Sequence, residues 1–181
     1  MSHPSFYARL ARRGFSLVEL VIVIVIIGIL AAIAIPRFSH ASSNTAENTF
    51  RYTLKTMRHA IDLYSSEHGG DWPGLRDAGS GAGLQNGTAY ARQLTWYTNE
   101  FGNAVPARDA NHTLGPYLVK IPALPVGSRA GQNAVATTNH FSTPGVYGAN
   151  VGWEAEHYFG RIRANLPDTE VGSNGIPFCD W

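Results

Sequence analysis

Residues 15–35 read FSLVELVIVIVIIGILAAIAI, and Glu19 is the single charge among them. Wound as a helix, this run spans about 31 Å at roughly 1.5 Å per residue. That length matches a hydrocarbon core of about 30 Å. The segment before it, MSHPSFYARLARRG over residues 1–14, holds Arg9, Arg12 and Arg13 and no acid. Cations on that side of an apolar run predict a cytoplasmic N-terminus. Pro36 follows, and a proline within a helix removes a hydrogen bond and bends or ends it. The helical pattern nonetheless resumes. Phe50, Leu54, Met57, Ile61 and Tyr64 step by four, three, four and three, the stripe that an amphipathic helix turns toward a core. The reading is one helix from about Phe15 to about His68, kinked near Pro36. Glu47–Arg51 and Arg58–Asp62 are expected as i,i+4 pairs on its solvated side. His68-Gly69-Gly70 stops the helix, and Asp71-Trp72-Pro73-Gly74 is turn chemistry.

Working outward from that helix, residues 74–88 form a Gly-rich loop. Thr88 is expected to cap a short helix carrying Ala91, Leu94 and Tyr97. Residues 101–145, rich in Gly, Pro and Asn, predict a long meandering loop. The last part reads as a hairpin. Val151, Trp153 and Ala155 alternate on one strand, and Ile162, Ala164 and Leu166 on the other, with Arg161 and Arg163 outward. Glu154 and Glu156 are placed to face those arginines across the strands. The expected fold class is α+β: a long N-terminal helix packed on a small C-terminal domain that ends in a short antiparallel sheet. The expected divisions are a leader at 1–14, an apolar helix at 15–36, its amphipathic continuation at 37–70 and a globular domain at 71–181.

Composition sets the bounds. The chain has 181 residues, enough for one ordinary domain and an anchor. Its net charge is +1, but the three leader arginines weigh on that figure. Without residues 1–14, eleven basic residues face thirteen acidic ones, a balance of −2. The remainder is not a polyanion binder by charge, and no nucleic-acid partner is expected. Cys179 is the only cysteine, which excludes an intrachain disulfide.

Three readings compete for Arg12-Arg13-Gly14-Phe15-Ser16-Leu17-Val18-Glu19-Leu20. An ordinary secretory signal finds a small-x-small site at Ala32-Ile33-Ala34, but the run is long for that purpose and carries an acid. A plain uncut anchor leaves Glu19 unexplained, because a carboxylate gains nothing from lipid. Cleavage between Gly14 and Phe15 supplies a partner. It creates a cationic α-amine four residues before Glu19. In an array of parallel helices, Glu19 of one copy pairs with Phe15 of the next, which neutralises two charges and fixes axial register. Glu19 also sits where its own helix N-terminus favours negative charge.

At these residues the chain resembles the type IV filament family, that is, type IV pilins and the pseudopilins of type II secretion. The match is Gly14, Phe15, Glu19, the apolar run with Gly28, and Pro36 before an amphipathic continuation. The resemblance implies a prepilin peptidase that cuts after Gly14 and methylates the amine of Phe15, with Glu19 acting in assembly. Gly28 and Pro36, both poor helix formers, flank what looks like the segment of the family's helix that melts in filaments. The implied partners are further copies in a homo-oligomeric filament, an inner-membrane assembly platform, minor pilins or pseudopilins, and membrane lipid. The implied location is the inner membrane, single-pass, with a periplasmic C-terminal domain. Tyr64 to Gly74, Gly115-Pro116-Tyr117-Leu118 and Ile121-Pro122-Ala123-Leu124-Pro125 are similar to stretches of major pseudopilins. With no paired cysteines at the C-terminus, they turn the expectation toward a type II secretion pseudopilus. The alternatives are a type IV pilus subunit for adhesion, motility or DNA uptake, and a membrane-tethered binding domain that never polymerises.

Other signals are weak. Major pseudopilins commonly hold calcium in a C-terminal loop, and Asp168, Glu170 and Asp180 are oxygen ligands of the right type. Their spacing fits no calcium loop, so no metal or cofactor is expected. None of the seven histidines sits in a zinc-protease frame, and no enzyme activity is expected. Gly79-Ser80-Gly81-Ala82-Gly83 lacks the lysine of a phosphate loop. Trp72, Trp96, Trp153 and Trp181 are expected as packing residues. Arg51, Lys55 and Arg58 are expected as a solvated helix face.

Overall fold

The apolar stripe of the helix finds its core. In the computed structural model, which describes residues 15–76, 78–79 and 86–181, helix α1 runs over Leu17–Glu67. Within it the side chains of residues 34–43 lie outside the described residues, and so does the kink expected at Pro36. The leader, with Gly14, and the centre of the Gly-rich loop also lie outside them. The chain divides into two units, Met1–Ser42 and Ser43–Trp181.

In the first unit the described side chains cover nothing. Phe15, Leu17, Ile22, Ile27 and Leu30 are each more than half exposed, although all are apolar. Apolar residues on every side of a helix have no solvated face to offer water. Among the described residues no helix is long and apolar enough to cross a membrane. The expected span continues into Ala34 and Ile35, beyond the side chains described.

In the second unit, Phe50, Leu54, Met57, Ile61 and Tyr64 are all buried. They pack with Tyr90 and Leu94, with Leu118, Ile121, Leu124 and Val126 from the long loop, and with Trp153, Ile162 and Leu166. Fully burying each large apolar side chain stabilises by about 1.5–3 kcal/mol. The Trp153 ring lies parallel to Phe50 at 6.1 Å. Its indole N–H donates to the Pro122 carbonyl at 2.8 Å, which satisfies the one polar atom of a fully buried ring.

A short helix α2 covers Gly87–Thr95. Its cap is Asn86, not the expected Thr88: the Asn86 side chain accepts from the Ala89 N–H at 2.8 Å. Ala91 and Leu94 lie on this helix, but Tyr97 has passed into strand β1 (Tyr97–Thr98), which pairs antiparallel with β2 (Ala104–Val105). The loop expected over 101–145 is thus interrupted, by β2 and again by β3 (Ala134–Thr138). The expected hairpin is present with its acids opposite its arginines, but its second strand stops at Ala164, short of Leu166, and Arg163 is buried. Strand β4 (Val151–Glu156) pairs antiparallel with β5 (Arg161–Ala164), with Trp153 opposite Ala164 and Glu154 opposite Arg163. The sheet is not purely antiparallel, however, because β3 joins β4 in parallel. The order is β3-β4-β5. The backbone of α2 starts directly on β3, since a Cβ added to Gly87 would lie 1.7 Å from the Val135 carbonyl oxygen. The fold is α+β, a long N-terminal helix followed by a small domain with short sheets.

Candidate functional site

Phe15 and Glu19 stand one helical turn apart. Phe15 lies just ahead of α1 and is 78% exposed. Glu19 is in the first turn of α1 and is exposed, and the Leu20 N–H bonds back to the Ser16 carbonyl at 3.1 Å. The first turn places the carboxylate at the positive end of the helix dipole. Beyond its own helix backbone, Gly28 meets no atom of the described residues within 4 Å of where a side chain would begin. What the segment presents chemically is one carboxylate at the start of an unpartnered apolar rod.

A second group of ionisable side chains sits on the hairpin. Arg163 is buried, not outward as the alternation predicts, and donates to Glu154 at 2.7 Å. Its guanidinium also lies 4.3 Å from the Phe141 ring centroid. Glu156, fully buried, meets His140 at 2.9 Å and the exposed Arg161 at 2.5 Å. Burial pushes the Glu154 carboxyl above its usual range, against the pull of Arg163. Each carboxylate is thus held by a cation from across the sheet. Both carboxylates of this group are paired structural charges.

The face of α1 departs from the expected solvated one at Glu47, Arg51 and Arg58. Glu47 does reach Arg51 at 3.3 Å, but it is buried rather than solvated. It accepts from the Ser173 N–H and hydroxyl at 3.0 Å each, and these bonds hold its pKa below the usual value. The Arg51 guanidinium lies over the Trp181 ring, 3.9 Å from its centroid. Arg58 bonds the main-chain oxygen of Trp181 in place of the expected Asp62. The C-terminal residues therefore close over the helix, with Phe178 and Trp181 both packed on Phe50. Signals for this were present in the aromatic tail Phe178-Cys179-Asp180-Trp181, but nothing local says what it covers. Glu170, an oxygen ligand by type for which no metal is expected, accepts from the Ser128 N–H and hydroxyl. Among the described residues no group of three or more His, Cys, Asp or Glu is placed to hold a metal.

Comparison with known proteins points to the N-terminal segment. Residues 9–35 match the prokaryotic N-terminal methylation motif. The chain is 42% identical over 59 residues to "Prepilin peptidase-dependent protein D" of Escherichia coli, covering 33% of this chain and 40% of that protein. It is 46% identical over 55 residues to "Type IV major pilin protein PilA" of Myxococcus xanthus, covering 30% and 25%. It is 36% identical over 63 residues to a "Fimbrial protein" of Neisseria meningitidis, covering 35% and 36%. The similarity thus spans well under half of each relative. No solved structure matches the chain. The chain carries the methylation motif, and over about a third of its length it is similar to pilins, which are structural, non-enzymatic proteins. None of the three relatives is named for type II secretion.

Proposed function

We propose that this protein is a structural subunit of a type IV pilus-like filament, made as a membrane-anchored precursor. The observation that carries the reading is Glu19: a carboxylate in the first turn of an apolar helix whose described side chains are exposed on all sides. In this reading residues 1–14 are removed by a prepilin peptidase, which also methylates Phe15. Residues 15–36 hold the precursor in the inner membrane and then form the filament core, with Gly28 and Pro36 as its weak points. Residues 37–70 continue that helix into the periplasmic domain at 71–181. Glu19 of one copy takes the new amine of Phe15 in its neighbour. An assembly platform and minor pilins are the implied partners.

A pilus is favoured over a secretion pseudopilus, because two of the three relatives are named as a pilin and a fimbrial protein. The pseudopilus remains the second reading, favoured by the Gly115-Pro116-Tyr117-Leu118 stretch and by the single cysteine. Intact-mass measurement on membrane-extracted protein tests the core of the proposal. The expected mature chain starts at a methylated Phe15. A chain that keeps Met1, or one cut near Ile35, overturns it.

A further inference from the structure

Two grooves on the second unit carry opposite charge. One, of about 510 Å³, is lined by Arg51, Lys55 and Arg58 of α1, by the single acid Asp180, and by Ile176 and Trp181. Arg51 is shared with Glu47 and Arg58 with the Trp181 main-chain oxygen, which leaves Lys55 as the groove's cation without a partner among the described residues. The other, of about 580 Å³, holds Glu67, Glu100, Phe101 and Leu114 among its walls and no lysine or arginine, which leaves it at −2. Each groove also offers apolar surface to a partner: Ile176 is 46% exposed in the first and Phe101 59% in the second. The two face different ways. Glu67 stands twelve positions after Lys55 on one helix, which is about 18 Å along the axis and about 120° around it. One chain cannot bring its own two grooves together.

A two-fold contact needs a self-complementary patch, and neither groove is one, because each would meet its own sign. We infer that the acidic groove of one copy, around Glu67, Glu100 and Phe101, receives the basic groove of the next, around Lys55, Arg58, Ile176 and Trp181. Such a contact is heterologous. Repeated without closing into a ring, it generates an open helical filament with a direction. The inference rests on the filament reading above and gives it an interface outside the apolar helix. Lys55 and Glu100 are the residues to test, because both are exposed and neither side chain has a partner among the described residues. Reversing either one leaves the fold's own contacts in place.

The experiment uses the full chain, expressed with its assembly machinery, and compares sheared filaments with the membrane pool. Lys55→Glu and Glu100→Lys are each expected to lower filament yield about tenfold or more, since like charges then meet across the contact. Their melting temperatures should stay near that of the parent. The double variant K55E/E100K restores the pairing with its signs exchanged, and filaments should return. Parent-like yields from both single variants overturn the interface while leaving the filament reading intact. So does loss in both singles without recovery in the double. No filaments from the unmutated chain overturn the filament reading, and the interface with it.

Discussion

Gln93 is a polar side chain with no exposure, and every atom it could bond with is used. Its carbonyl oxygen accepts from the Gly74 N–H at 2.6 Å, and its amide donates to the carbonyls of Arg76 at 3.2 Å and Gly102 at 2.9 Å. One residue of α2 thereby ties down two separate loops. Gln93→Leu strands those groups away from water, at about 1–3 kcal/mol for each one left unsatisfied. A thermal melt should fall by several degrees or more, where Lys55→Gln on the surface moves it little. His157 is the opposite case. It is buried, and neither ring nitrogen has a partner among the described residues. Burial pushes its pKa below the ordinary value near 6.5, although Glu156 pulls the other way. A histidine kept neutral by folding contributes stability above its unfolded pKa and loses it as pH falls below that value. Melting temperature should therefore drop as pH falls through the ordinary histidine value of about 6.5, and His157→Phe should make that drop smaller. An equal drop in the variant would assign the pH sensitivity to other groups.

At the scale of elements, what was legible is what is local. The stripe Phe50, Leu54, Met57, Ile61, Tyr64 repeats within one helix, and every member is buried as its period requires. The β4–β5 hairpin is equally local: two alternating runs joined by a short turn, in the register the alternation implies. Strand β3 has no local signal, because its partner is reached only across the intervening residues 139–150, and parallel pairing leaves no turn signature at the strand's end. Asn86 and Thr88 are both good caps by type. The choice falls on Asn86 because its side chain reaches the N–H three residues on. The buried face of α1 also grades three neighbouring substitutions. Leu54→Ala should cost about 2–5 kcal/mol through loss of packed volume. Lys55→Ala should stay within about 0.5 kcal/mol. Arg51→Ala, which looks as harmless from the sequence, should fall between them at about 0.5–1 kcal/mol, because its guanidinium covers Trp181. Urea unfolding of the three variants reads the order directly. Equal losses for Lys55 and Arg51 would remove any stabilising role from the stack.

For the whole molecule, the decisive substitution is Glu19→Gln. If the carboxylate only caps its own helix, neutralising it costs about 0.3–1 kcal/mol, and assembly should proceed. If it pairs with the amine of a neighbouring Phe15 in a medium of low dielectric, breaking the pair costs about 3–5 kcal/mol at every contact. The expected result is a chain that is processed and inserted but absent from sheared filaments. Normal filaments from that variant would end the intersubunit pairing. The candidate site was legible because it lies in one short run of residues. The closure of the domain was not, because it joins distant ones: Glu47 meets Ser173 across 126 positions. That closure bears on the order in which the chain is made. A ribosome releases α1 long before residues 171–181, and until then Phe50 lacks Phe178 and Trp181 beside it. Glu47 in the meantime lacks the two donors of Ser173. The domain thus cannot finish folding until residues 171–181 have been released. The helix must wait, with part of its apolar face uncovered, for Phe178 and Trp181 to arrive.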